Sequence, residues 1–148
     1  MNYKNIIFDL GNVIVKLDED ATMKAFEKLG WGTFDHIREN SDGLRLFQGM
    51  GLGLVSNQEF FDSFRKMTSA DVTDRQITDA TNAMLRYIPD AKKQKLLDLR
   101  KAGYRTFLLS NTIDLHWRYC VDNLFPMNQY GVTDYFEQTF VSQKMHKK

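Results

Sequence analysis

A chain of 148 residues, 43% hydrophobic and 26% charged, has room for one ordinary globular domain or a small core carrying an insertion. Its formal net charge of +1 gives no electrostatic case for nucleic acid or a membrane surface. No apolar run approaches the roughly 20 residues that a membrane-spanning helix needs, and Cys120, the single cysteine, excludes an intrachain disulfide.

The amino-terminal Asn2-Tyr3-Lys4-Asn5 leads straight into an apolar run without the h-region of a secretory signal, which predicts a cytoplasmic protein. That run, Ile6-Ile7-Phe8, ends in one carboxylate, Asp9, and Leu10-Gly11-Asn12 turns the chain. A short apolar run bounded by a glycine turn fits a buried parallel strand. Ligands of open α/β sheets sit beyond the carboxyl ends of such strands, where Asp9 would stand. The same residues also fit a strand followed by an Asx turn, with Asp9 bonded to its own loop.

Residues 13–17 can continue extended. Asp18-Glu19-Asp20 then opens a helix that carries Met23, Phe26 and Leu29 and stops at Gly30. A short helix is expected within residues 31–40. Gly49-Met50-Gly51-Leu52-Gly53 has the alternate glycines of a phosphate loop but follows no strand, and reads as a turn between helices. Ser56-Asn57-Gln58-Glu59 and Thr73-Asp74-Arg75-Gln76 are capping boxes. The first opens a helix with Phe60, Phe61, Phe64 and Met67, the second a helix with Ile77, Ala80, Met84 and Leu85. Residues 18–87 thus read as consecutive helices without a strand.

Pro89-Asp90 starts a helix over residues 90–101, with Ala91, Leu96, Leu97 and Leu99 apolar and Lys92, Lys93, Lys95 and Arg100 on the wet side. After Gly103, residues 104–109 read as a strand closed by Ser110-Asn111-Thr112, and a helix follows over about 113–124. Small polar residues at a helix start either hold an anion or cap the helix. Cys120 in that helix reads as a small buried hydrophobe. Residues 126–134 read as loop, residues 136–141 hold a third strand, and 142–148 form a basic end. Alternating strands and helices of this kind imply a parallel sheet, with the helical block inserted after the first strand.

These residues resemble a known family. Ile6-Ile7-Phe8-Asp9-Leu10-Gly11-Asn12-Val13 is similar to the first motif of the haloacid dehalogenase-like (HAD) hydrolases, and Leu108-Leu109-Ser110-Asn111-Thr112 to their second. Phe140-Val141-Ser142 resembles the strand before the third. The Asp-Leu-Gly-Asn-Val form is similar to a bacterial subgroup that includes sugar-phosphate phosphatases such as α-D-glucose-1-phosphate phosphatase. The resemblance implies an α/β fold with a Rossmann-like HAD core over 1–17 and 88–148, a partial parallel sheet, and a helical C1 cap over 18–87.

It further implies that Asp9 attacks phosphorus and forms an aspartyl-phosphate, and that Ser110 and Asn111 hold the phosphoryl group. Mg2+ would bind the Asp9 carboxylate and the Gly11 backbone carbonyl. The substrate would be a small phosphorylated metabolite, with no nucleic acid or membrane partner. Two departures stand out. Gly11 occupies the place of the family's second Asp, the general acid. The third-motif Lys-Pro and the fourth-motif acidic pair are not found, although Lys144, Lys147 and Lys148 lie close to the expected lysine. The chain is accordingly expected to be the amino-terminal part of a longer enzyme. The edge of the first strand is expected to be covered by a further segment or by a partner chain in a homo-oligomer. The alternatives are a catalytically incomplete binding module and a haloacid dehalogenase using Asp9 on carbon. His36, His116, Trp31 and Arg45 are further pocket candidates that read more simply as structural or solvent-facing.

Overall fold

The computed structural model describes residues 3–32 and 41–146. In chain order, β1 (Asn5–Phe8) is followed by a tight loop and a two-residue strand, β2 (Lys16–Leu17). Among the described residues, four helices come next: α1 (Glu19–Lys28), α2 (Ser41–Gly51), α3 (Asn57–Thr68) and α4 (Asp74–Asn82). A short strand, β3 (Leu85–Tyr87), leads to α5 (Asp90–Lys101), β4 (Arg105–Ser110), α6 (Asp114–Tyr119) and a π-helical turn, Cys120–Leu124. The last elements are α7 (Val132–Tyr135), β5 (Gln138–Val141) and α8 (Ser142–Met145).

The fold is α/β. Strands β1, β4 and β5 form a parallel sheet in that order, with Phe8 opposite Leu108 and Ser110 opposite Val141. The expected strands at 6–8, 104–109 and 136–141 all form. One face of the sheet is buried under α5 and the π-turn, where Leu96, Cys120, Leu124 and Phe125 pack on Leu108 and Val141. The other face presents Ile7, Phe107, Leu109 and Phe140, which the register places side by side. Ile7 is 65% exposed and Leu109 48%. Among the described residues no strand pairs with the outer edge of β1.

Local rules hold well in the helices. Both capping boxes form: Glu59 N–H donates to Ser56 Oγ at 3.1 Å, and Ser56 N–H to Glu59 Oε2 at 2.7 Å. Thr73 and Gln76 repeat the pattern at 3.2 and 2.9 Å. Each pair satisfies two donors that a helix start leaves without partners.

Tertiary contacts overrule several expectations. The stretch expected to be wholly helical ends in a strand: α4 stops at Asn82, and Leu85 belongs to β3, which pairs antiparallel with β2. This ribbon joins the two ends of the helical block. Thr22 seals it, accepting from Met84 N–H at 2.8 Å and donating to the Ala80 carbonyl at 3.0 Å. Two- and three-residue strands are too short to show a period of two in sequence. Gly49 and Gly51 lie within α2 rather than in a turn. A Cβ at Gly49 would stand 2.5 Å from Val55 Cγ2, so the residue is glycine for close packing.

Lys93, placed on the wet side, is 5% exposed. It is one turn before buried Leu96 and shares its face. Its Nζ escapes to the Pro126 carbonyl at 3.2 Å and to Asp90 at 3.4 Å. Ala91, read as apolar face, is exposed. The helix over 113–124 is α-helical only to Tyr119. The stretch over 126–134 ends in α7, and the basic end begins as a short helix, α8. The helix expected within 31–40 falls, from residue 33 on, outside the described residues.

Candidate active site

Parallel pairing of β1 and β4 brings Asp9 and Ser110-Asn111 to the same end of the sheet. Asp9 is exposed immediately beyond β1. Its Oδ1 accepts the Leu10 N–H at 2.7 Å, the turn contact foreseen as one of two readings. Among the described residues its Oδ2 takes no hydrogen bond, so the turn occupies only half of the carboxylate. The loop beneath is tightly held. Leu10 carbonyl accepts from Ile14 and Val15 N–H, both at 2.9 Å, and Asn12 donates to the Val15 carbonyl at 2.8 Å. Asn12 adopts φ 56°, a left-handed conformation that asparagine tolerates better than most residues. Leu10, Ile14 and Val15 are buried, and this anchors Asp9 from below. A Cβ at Gly11 would meet Leu17 Cδ1 at 3.0 Å, so the backbone here lies against the ribbon.

Ser110 is buried at the end of β4 and Asn111 is exposed beside it. Neither caps the following helix, and Thr112 does not either. The cap position of α6 is Ile113, with no side-chain hydrogen bond. The turn is held instead by Ser142, whose Oγ accepts from Thr112 N–H at 3.1 Å and donates to the Thr112 carbonyl at 3.2 Å. Ser142 therefore ties the β4–α6 turn to the end of β5.

A cavity of about 300 Å³ lies between the α2–α3 turn and α6 with α8, and Asp9, Gly11, Ser110 and Asn111 are not among the residues that line it. Ser56, Asn57, Asp114, Arg118, Gln143 and Lys144 supply its polar lining. Asn57 Nδ2 donates to Asp114 Oδ2 at 2.9 Å, and Arg118 Nε pairs with the same oxygen at 2.7 Å. Helix α3 is thus tied to α6 across the cavity. At Gly53, φ is +69° and an added Cβ would stand 2.1 Å from the Gln143 carbonyl oxygen. The α2–α3 turn rests directly on the β5–α8 backbone.

Two of the other candidates, Trp31 and His116, are structural. Trp31 is buried and stacks on Phe47 at 5.8 Å between ring centres. His116 Nε2 lies 2.9 Å from the Thr81 carbonyl, which can only accept, so the ring donates; burial pushes its pKa down. Arg45 lies exposed by a separate surface hollow with Asp42 and Lys66. Burial raises the Cys120 thiol to about 12, which makes it inert. His36, Lys147 and Lys148 lie outside the described residues, and Lys144 is exposed at the rim of the cavity.

Among the described residues no group of three or more His, Cys, Asp or Glu side chains could hold a metal ion. A single carboxylate with a free oxygen still suits Mg2+, which keeps several waters and is commonly held by one or two carboxylates together with substrate phosphate. Sequence reasoning missed Asn57, Asp114, Arg118, Ser142 and Gln143. One usable signal was positional: Ser142-Gln143 directly follows a strand, as Ser110-Asn111 does.

No family model matches the chain. A D-ribitol-5-phosphate phosphatase of Bacteroides thetaiotaomicron is 28% identical over 142 residues, covering 96% of this chain and 68% of that protein. A crystal structure of a HAD family enzyme from Bacteroides thetaiotaomicron matches with a TM-score of 0.94 and 36% identity, over 99% of this chain and 72% of that one. A wild-type complex of such an enzyme with magnesium and inorganic phosphate matches at 0.89 and 39% identity, over 99% and 72%. With identity above 30% over nearly the whole chain and more than two thirds of the relative, this chain belongs to the HAD family of hydrolases.

Proposed function

We propose that the chain carries the activity of a magnesium-dependent phosphatase of small sugar or polyol phosphates, acting through an aspartyl-phosphate on Asp9. The observation behind this reading is the meeting of a half-free carboxylate, Asp9, with Ser110-Asn111 at one end of a parallel sheet. The HAD relatives add support, since one is a D-ribitol-5-phosphate phosphatase and another binds magnesium and phosphate.

In this reading the free Oδ2 of Asp9 attacks phosphorus, the ester P–O bond breaks, and the leaving alkoxide takes up a proton. Water then attacks the acyl phosphate and returns the carboxylate and inorganic phosphate. Ser110 and Asn111, spared from helix capping, bind phosphoryl oxygens. Mg2+ would be held by Asp9 and the Gly11 carbonyl and would neutralise charge on the transferring group. Gly11 has no proton to give, so the proton for the leaving group comes from another source than the residue the family usually places there. Residues 18–87 serve as a cap over a core of 1–17 and 88–148, and the Asn57–Asp114 bond holds it closed. The setting is cytoplasmic. The outer edge of β1 is covered in the working enzyme by a further segment or a partner chain, because a bare apolar edge invites aggregation.

The test is phosphate release from a polyol phosphate with Mg2+, comparing wild type with Asp9→Asn. A loss on the order of 10³-fold or more is expected, as for removal of a covalent nucleophile. Equal rates in the two proteins would overturn the role of Asp9.

A further inference from the structure

The chain leaves the sheet for the helical block as soon as the Ser110-Asn111-Thr112 turn is complete. Four consecutive residues, 113–116, contact the block. Ile113 and Leu115 are buried in its aromatic cluster. Asp114 Oδ2 accepts from Asn57 Nδ2 at 2.9 Å, and His116 Nε2 donates to the Thr81 carbonyl at 2.9 Å. With Trp117 and Cys120 the chain returns to the core beneath the sheet. The residues directly after Ser110 and Asn111 are therefore seated on the block, while Ser142 holds Thr112 from the sheet side.

The His116 bond leads to the place where the block joins the core. Its acceptor, the Thr81 carbonyl, also accepts from Thr22 Oγ1 at 3.2 Å, and Thr22 accepts the Met84 N–H at 2.8 Å. These three groups close the β2–β3 ribbon, so α1, α4, β3 and α6 share one hydrogen-bonded node. Thr81 is 1% exposed, and water does not readily replace the His116 donor at so enclosed a carbonyl. A displacement of the block at this node moves His116, and with it the short helix that begins three residues after Asn111. A ligand on Ser110 and Asn111 and the seating of the block on α6 then stabilise one another, because both fix the same helix start.

We propose that the helical block sets the geometry of the phosphate-holding turn through α6, with His116 as the positioning residue bonded to Thr81. The proposal rests on the phosphatase reading, in which Ser110 and Asn111 bind phosphoryl oxygens. Three variants separate this seat from general loosening. His116→Leu removes the donor. His116→Gln supplies an amide N–H for the Thr81 carbonyl. Thr73→Ala breaks the capping box of α4, inside the block and away from α6. Each is titrated calorimetrically with inorganic phosphate in the presence of Mg2+, and each is melted.

His116→Leu should bind phosphate roughly 3–10-fold more weakly than wild type, the effect of one lost hydrogen bond, and His116→Gln within about twofold of it. Thr73→Ala should melt lower than wild type yet bind phosphate as wild type does. A folded His116→Leu that binds phosphate like wild type overturns the role of His116 and leaves the phosphatase reading standing. So does equal weakening in Thr73→Ala, or a Gln variant no better than the Leu variant. Wild type alone tests the proposal should His116→Leu fail to fold. Phosphate added with Mg2+ should shift the amide resonances of residues 80–83 as well as those of 110–116, and shifts that stop at α6 overturn the coupling. Failure of wild type to bind phosphate overturns both readings.

Discussion

The helical block and the sheet bury their apolar residues in different ways. In the block, Phe26, Trp31, Phe60 and Phe64 form one aromatic cluster, with edge-on contacts of Trp31 to Phe26 at 4.9 Å and to Phe64 at 5.0 Å. Most of its members lie within about fifty residues of one another. The sheet is assembled from distant pieces, Ile6 against Thr106 and Leu108 against Thr139, and only one of its faces is covered by helices. The two meet where Ile113 and Leu115 enter the aromatic cluster, where Asn57 bonds Asp114 and His116 bonds Thr81, and where the α2–α3 turn rests on Gln143. The region that carries Asp9 and Ser110 is therefore built by long-range pairing, while the aromatic cluster above it is built mainly from nearby residues and completed by Ile113 and Leu115. Packing that closes locally can vary without disturbing the strand ends, a useful property for an element that shapes specificity.

Three changes would break or sharpen this contrast. The largest effect is expected for Phe64→Ala, which empties the centre of the aromatic cluster. A loss of about 3–5 kcal/mol is expected from chemical denaturation. Hydrogen exchange should show lost protection in α1, α3 and α4 with β4 amides still protected. Equal loss in β4 would show that the two cores unfold as one unit.

Gly53→Ala attacks the seam between them. The added methyl meets the backbone of Gln143 and occupies a left-handed backbone conformation, and a cost of about 1–3 kcal/mol is expected from the backbone alone. Amide shifts should concentrate at residues 142–146 and in the α2–α3 turn. Shifts confined to the turn would mean that the seam is looser than the contact implies.

The smallest effect concerns pH. His116, on α6 against Thr81 of the helical block, has its pKa lowered first by burial, only partly offset by its bond to the Thr81 carbonyl. Its unfolded form takes up a proton near pH 6.5, before the folded form does. Stability is therefore expected to fall as pH drops below about 6.5. A second loss follows at lower pH, as the carboxylates Glu59, Asp62 and Glu137 are protonated. Each is held below its ordinary value by a hydrogen bond, to Ser56, Arg65 and Arg105 respectively. Thermal melting between pH 7 and 5 should be flatter in His116→Gln than in wild type. Identical profiles would show that His116 does not carry the first step.

Much of the fold was legible because its signals are local. Both capping boxes, the Pro89-Asp90 helix start and the three sheet strands depend on residues within a few positions of one another. The strand-end pair Asp9 and Ser110-Asn111 could be noted for the same reason, since each directly follows an apolar run. The β2–β3 ribbon was hidden because its strands are two and three residues long and about seventy residues apart. Lys93 was misplaced because a lysine's charge argues for solvent, while its helix face, shared with Leu96, argues for burial.

By itself the sequence determined where most helices begin, where the sheet strands run and which carboxylate ends the first one. Those follow from backbone donors seeking nearby acceptors and from apolar residues that must leave water. Only the tertiary structure decided that the Ser110 turn is clamped by Ser142, that Gly49 and Gly53 are contact points, and that the buried Gln143 amide has no partner among the described residues. Each of those depends on what chain from elsewhere comes within bonding distance, and no local spacing encodes that.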